Sequence, residues 1–267
     1  MYTKNEIKKQ LQTMNAPKDS VVLIHSSLKA VGEVEGRGEG LLEALIEYFT
    51  KDGGLLCIPT HTWANAGKTE IPTLNLNEPK TCIGTLPNLA AAHPKAHRSL
   101  HPTHSMAVFG DGAEEFIADE INAVTPAPPF GCYGKICAMG GKILLVGVGH
   151  NRNTYLHSVE EMLSVPNRLS PEPLPMTILH KDGTTEHRMQ KCHRAEGIGD
   201  VSQRYPKYEP AFRLYGHITD GFVGDARTQL CDARGMKDVL ELIYKRSNGA
   251  ELMVDFDPLT PELYERN

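Results

Sequence analysis

The stretch NTYLHSVEE, residues 153–161, places His157 within three or four positions of two carboxylates, Glu160 and Glu161. An imidazole whose one nitrogen is held by a carboxylate keeps its other nitrogen free as a general base, and the carboxylate stabilises the imidazolium that forms. On a helix advancing by about 100° per residue, Leu156, Val159 and Leu163 fall in one narrow arc and mark the core face. Glu160 lies about 40° from Leu156 on that wheel, so it points inward, whereas Glu161 lies further toward solvent. The spacing therefore pairs His157 with Glu160 at i and i+3, where helical side chains meet. Taken alone, such a pair is more often an ordinary helical contact.

The element in front of the pair favours chemistry. GKILLVGVG (141–149) is the most apolar strand-like run of the chain, and the helix opened by Thr154 follows it through a glycine-containing turn. That is the carboxyl end of a strand, where α/β proteins place their sites. Strand and helix patterns alternate elsewhere too. SVVLIHSS (20–27), GGLLCIPT (53–60) and SMAVFG (105–110) read as strands; GEGLLEALIEYF (38–49), GTLPNLAAAH (84–93) and GAEEFIADEI (112–121) read as helices. The first fifteen residues read as a charged amphipathic helix, residues 63–82 as a long loop and the proline-rich 125–131 as a turn or lid. LPMTILHKDGTTEHRMQK (174–191) carries the Asp-Gly signature of a β-hairpin. A helix near 200–214, a strand near 217–223 and a helix over 236–247 close the chain. The fold expected is one α/β domain over residues 1–267, a three-layer α/β/α sandwich whose sheet is mixed because of the hairpin.

With 267 residues and a net charge of −5, the chain reads as a soluble cytoplasmic protein with neither a nucleic-acid surface nor a membrane span. Its six cysteines form no C-x-x-C pair, which suits reduced thiols. The twelve histidines are the unusual feature. His101, His104 and His150 with Cys192 or His193 offer nitrogen and sulfur donors for zinc, the basis of a rival reading as a metal hydrolase. HPTH is not the H-E-x-x-H pattern, however, and a proline between the histidines suggests a rigid turn.

Four segments together resemble the aminoglycoside 3-N-acetyltransferase family: VVLIHSSLKAVGEVEGRGEGLLEAL, RSLHPTHSMAVFG, GKILLVGVGHNRNTYLHSVEE and GFVGDARTQLCDARGMKDVL. The resemblance spans about residues 18 to 245. It implies a three-layer fold of the non-GNAT type, acetyl-coenzyme A as cosubstrate and a small-molecule amine as acceptor. By position it implies His157 and Glu160 as the catalytic pair. It places His25, Ser26, Ser27 and Leu28 beside the pantetheine arm, and Gly224 to Arg227 in a glycine-led turn before the last helix, also near the coenzyme. His101, His104 and Ser105 fall in the same cleft. Arg37, at a glycine-rich helix entry, is a candidate for coenzyme phosphate.

The expected reaction is direct acetyl transfer, since no cysteine sits in a nucleophile context. Backbone amides near Thr154 and the Ser105 hydroxyl are candidate oxyanion donors. A coenzyme-binding module without catalysis is the third reading. The acceptor regions, 63–82 and 191–213, are not strongly acidic: Glu70 and Glu78 face Lys68 and Lys80, and Glu196, Asp200 and Glu209 face five cations. An amine acceptor, with aminoglycosides used at modest efficiency, follows. LYGHITDGFV (214–223) offers apolar residues for a homodimer surface.

Overall fold

In the computed structural model, which describes residues 1–249, 255 and 257–265, the apolar runs become strands whose side chains alternate between two cores. Thr3 and Glu6 form a capping box that starts α1 (Lys4–Thr13). Then come β1 (Val21–Ser26), the single turn α2 (Leu28–Val31), α3 (Arg37–Phe49), β2 (Leu55–Pro59) and the two-residue β3 (Leu74–Asn75). These lead to α4 (Thr85–Ala92), β4 (His97–Arg98), β5 (Met106–Phe109), α5 (Ala113–Ile117), α6 (Cys132–Ala138), β6 (Lys142–Val146) and α7 (Tyr155–Met162). The chain continues with β7 (Leu174–Leu179), β8 (Thr185–Gln190), α8 (Glu209–Leu214), β9 (Ile218–Val223), β10 (Ala226–Asp232) and α9 (Ala233–Arg246).

Seven strands form the main sheet in the order β4-β5-β2-β1-β6-β10-β9. Val21, Leu23, Cys57, Ile143 and Leu145 face a core shared with α5 to α9, while Val22, Ile24, Leu56, Leu144 and Val146 face one shared with α1, α3 and α4. Those are the three layers expected. Each fully buried Val, Leu or Ile contributes about 1.5–3 kcal/mol, and the parallel centre β2-β1-β6 is buried on both faces.

Several expectations need correction. The main sheet is mixed because β4, β5, β9 and β10 run antiparallel to their neighbours, not because of the 174–191 hairpin. That hairpin, β7 with β8, instead joins β3 in a separate three-stranded sheet. Its outer strand is half exposed, so it has no second core face to bring it into the main sheet. β10 is a strand that sequence patterning hid behind polar Arg227, Thr228 and Gln229. Gly224 and Asp225 therefore form the turn of the β9–β10 hairpin, and Arg227 stands within β10 rather than in a turn before the last helix. The helix near 200–214 is a 3₁₀ run, Val201–Tyr208, followed by α8. Pro206 and Pro210 remove amide donors there.

The proline-rich stretch is anchored along its length. Glu161 accepts from Thr125 Oγ1 at 2.6 Å and from the Ala127 amide at 2.9 Å, and the Lys191 amide donates to the Val124 carbonyl at 2.9 Å. Glu161 is accordingly a half-buried clamp on the outer flank of α7 rather than a solvated side chain. Among the described residues no helix is long and apolar enough to cross a membrane.

Gly224 has φ +59°, and a Cβ there would meet the Val31 carbonyl oxygen at 2.2 Å. Its amide and carbonyl are both held by Gln10, at 2.7 and 3.1 Å. Gly224→Ala is expected to cost about 2 kcal/mol or more, through left-handed strain and a backbone clash. A urea-unfolding midpoint equal to that of the unsubstituted protein would contradict this account.

Candidate active site

The carboxyl ends of β1, β2 and β6 open into a cleft of about 1150 Å³. The registers His25 to Leu145 and Ser26 to Val146 put HSS beside VGVG, and the Ser27 amide extends the ladder to the Val146 carbonyl at 2.9 Å. Gly147, at φ +64°, lets this crossing close up, since a Cβ there would lie 2.4 Å from that of Ala30. His25, Ser26, Ser27, His104, Thr154 and His157 all line the cleft. Glu160 stands one residue deeper, behind His157.

His157 Nδ1 lies 3.4 Å from Glu160 Oε2, and the hydroxyl of Tyr205 bridges them at 2.6 Å from each. The other carboxylate oxygen accepts from Arg168 Nε at 2.6 Å, inside an ion pair whose side chains are only 3% and 6% exposed. Burial pushes the Glu160 carboxyl up, but the nearby His157, the Arg168 charge and the Tyr205 hydroxyl outweigh it and hold it below its ordinary value. Burial and the neighbouring carboxylate keep Tyr205 a phenol, its pKa well above the usual value. On its face, His157 stacks against His193 with ring centroids 4.2 Å apart and planes 26° from parallel. His193 meets His104 edge-on at 4.9 Å, and His104 lies 4.5 Å from His61.

The remaining candidates do not line the cleft, and the expected oxyanion donors are already engaged. His101 lies beneath His104; its Nδ1 accepts from the amides of Thr103 and His104, and its Nε2 donates to the Thr125 carbonyl at 3.0 Å. Ser105 is fully buried and donates to the Thr60 carbonyl at 2.8 Å, which leaves its hydroxyl no proton for an oxyanion. The Thr154 amide is taken by the Arg152 carbonyl at 3.1 Å. Leu28 packs on the α1–α3 core, and Arg37 is exposed at the start of α3 with φ +56°. Gly224 and Arg227 sit behind the cleft, where the Arg227 carbonyl accepts from Gly147 at 2.9 Å. The zinc reading finds no support in this geometry. Among the described residues no three of His, Cys, Asp and Glu are grouped to hold a metal ion, and His150 is buried against Phe212.

Sequence reasoning missed Tyr205, Arg168 and His61, and treated His193 only as a metal donor. Arg168 follows Glu160 by eight positions, beyond any helical pairing rule, and Tyr205 is 48 residues from His157. Arg152, Arg194 and Asp200 also line the cleft.

The profile of the family described as Aminoglycoside 3-N-acetyltransferase matches residues 23–244. The chain belongs to that family. This acyltransferase is similar to aminoglycoside N(3)-acetyltransferase VII of Streptomyces paromomycinus, 27% identical over 258 residues that cover 88% of this chain and 89% of the relative. It is 32% identical to aminoglycoside N(3)-acetyltransferase IV of a Salmonella species over 166 residues, 62% of this chain and 61% of the relative. Among solved structures, a mutant of aminoglycoside acetyltransferase AAC(3)-IVa in complex with gentamicin superposes with a TM-score of 0.75 at 26% identity, covering 92% and 90% of the two chains. A binary complex of AAC-IIIb with CoASH shares the fold with a TM-score of 0.78 at 19% identity, covering 91% and 97%.

The buried histidines carry a pH signature. Burial pushes His25 down to about 3, and His101 and His150 to about 4. It also holds His61, His104 and His193 well below their ordinary value, helped by mutual repulsion within the cluster. An unfolded chain protonates all six below about pH 6.5 while the folded one does not, so stability is lost as pH falls through that value. Glu120 and Glu161, raised by burial, act in the opposite sense but are only two groups. The melting temperature should fall continuously from pH 6.5 to 5 at matched ionic strength; a flat profile would show that these imidazoles titrate in the folded protein.

Proposed function

We propose that this family member transfers the acetyl group of acetyl-coenzyme A directly to an amine, with His157 as general base. The observation that carries the reading is the state of the imidazole: Nδ1 is engaged by the Tyr205–Glu160 network, which leaves Nε2 as the nitrogen available to the cleft that His157 lines. An amine must be neutral to attack. His157 Nε2 takes its proton as the nitrogen adds to the acetyl carbonyl carbon, and returns it to the sulfur as the carbon–sulfur bond breaks. Base assistance of this kind contributes about 10²–10⁴-fold, and holding both partners in one cleft supplies much of the rest.

The residues present fit the cosubstrate. Pockets for a single drug-sized ligand measure about 300–1,000 Å³, so a cleft of about 1150 Å³ has room for a second partner. Ser26, Ser27 and Gly147 line the cleft beside His25, whose buried Nε2 has no partner among the described residues. Arg152 places an exposed cation at the same strand ends, suited to phosphate. A covalent acetyl-enzyme is disfavoured, because burial raises the thiols of both cleft cysteines, Cys82 and Cys192, and keeps them protonated.

The AAC(3)-IVa neighbour binds gentamicin, and an aminoglycoside is a polycation that calls for carboxylates. Among the described residues lining this cleft the only carboxylate is Asp200, set against Arg152, Arg194 and the already paired Arg168. The acceptor is therefore an amine of low positive charge, and aminoglycosides react at their 3-amino group with modest efficiency.

His157→Ala should lower kcat by two orders of magnitude or more with little change in acetyl-coenzyme A affinity; near-normal turnover would remove His157 from the mechanism. Glu160→Gln should reduce kcat more than Glu161→Gln, since only Glu160 reaches the imidazole. Across a panel of aminoglycosides at matched salt, kcat/KM should stay well below roughly 10⁶ M⁻¹s⁻¹. Values at that level would identify a dedicated polycation site and overturn the reading of the acceptor.

A further inference from the structure

The His157–Glu160 contact is too long to be the bond that orients the base. At 3.4 Å it lies at the limit for N–H···O, whereas Tyr205 Oη sits 2.6 Å from both His157 Nδ1 and Glu160 Oε2. Counting hydrogens fixes the order of this chain. Glu160, held as an anion by Arg168 Nε at 2.6 Å on its other oxygen, has no proton to donate. Tyr205 owns one hydrogen. If it gave that hydrogen to His157 Nδ1, the phenolic lone pairs would face a carboxylate oxygen at 2.6 Å inside a buried site, an arrangement that is strongly repulsive. The phenol must therefore donate to Glu160. The oxygen that remains is an acceptor, and only an Nδ1 that carries its own hydrogen can meet it.

We propose that Tyr205 is the positioning residue that sets the tautomer of His157, by accepting from Nδ1–H while donating to Glu160, so that the carboxylate acts on the base through the phenol. The proposal rests on the reading of His157 as the base. In the chain Arg168–Glu160–Tyr205–His157, each member has one role open to it. Arg168 keeps the carboxylate charged, the carboxylate directs the phenolic hydrogen, and the phenolic oxygen directs the imidazole. When Nε2 takes a proton, the imidazolium charge is felt along the same line of hydrogen bonds without any further proton moving. Tyr205 is also fully buried and belongs to the 3₁₀ run Val201–Tyr208, whose first residues Val201 and Ser202 line the cleft. The segment that forms one wall of the cleft thus also carries the group that aligns the base.

The test uses the full-length protein with ¹⁵N-labelled histidine, comparing the unsubstituted chain, Tyr205→Phe and His157→Ala, the last to assign the resonance. The unsubstituted protein near neutral pH should show His157 as a single Nδ1–H tautomer. Tyr205→Phe keeps the ring and removes only the hydroxyl. It should yield a mixture of tautomers, with kcat lowered at least tenfold and KM for acetyl-coenzyme A within about twofold. An Nε2–H tautomer in the unsubstituted protein overturns the proposal without any variant, so a poorly folding Tyr205→Phe does not shield it. A Tyr205→Phe enzyme with unchanged tautomer overturns it as well, whether or not kcat falls. Failure of the base assignment reads differently: His157→Ala would stay active while the tautomer spectrum still decided the hydrogen-bond order.

Discussion

A buried ion pair organises the site. Glu160 and Arg168 meet at 2.6 Å with almost no exposure, and a charge that deep is tolerated only with a partner and further hydrogen bonds. Removing one member of such a pair costs about 3–5 kcal/mol, because the other is left charged and unpaired. The demand propagates outward. Arg168 also donates to the carbonyls of Pro166 and Asn167, so the turn after α7 is fixed by the same guanidinium that fixes Glu160. Glu160 in turn requires the Tyr205 hydroxyl and the neighbourhood of His157. The His157 imidazole is thus held by a polar chain whose far end is anchored in backbone.

The histidines show burial used in the opposite way. Among the described residues, His61, His101, His104 and His193 have no compensating carboxylate in their hydrogen bonds and are held neutral by burial. His157 differs from them chiefly in having an anion within reach. A row of similar rings is thereby divided into several neutral packing members and one member linked through a phenol to a buried carboxylate.

What could be read from the sequence follows from the range of the interactions involved. The parallel strands, their helices and the His157–Glu160 spacing are local patterns of period 2 or 3.6, and all stand in the structure. The cleft residues that matter next are not local. Tyr205 reaches His157 across 48 positions from a proline-interrupted 3₁₀ run, where no periodicity marks an inward-facing side. β10 escaped notice because a strand with one polar face, carrying Arg227 and Gln229, looks like a loop when its neighbour β6 is unknown. Proximity in sequence does not decide which histidines meet in space. His97 and His187 are exposed and His93 bonds Glu43, whereas His61 and His193, far apart in the chain, both meet His104.

The separate sheet of β3, β7 and β8 bears on how such a protein can diversify. The long loop contributes Trp63, Ala66 and Cys82 to the cleft, and the segment after β8 contributes Cys192 to Ala195. Both are tied to each other through β3 and β7, and neither belongs to the ladder that carries β1 and β6. Length and composition can drift on this side while the strand ends that present HSS and VGVG keep their register. A change in what is acylated can therefore be written into a rim outside the main ladder, provided that His193, which stacks on His157, stays in place.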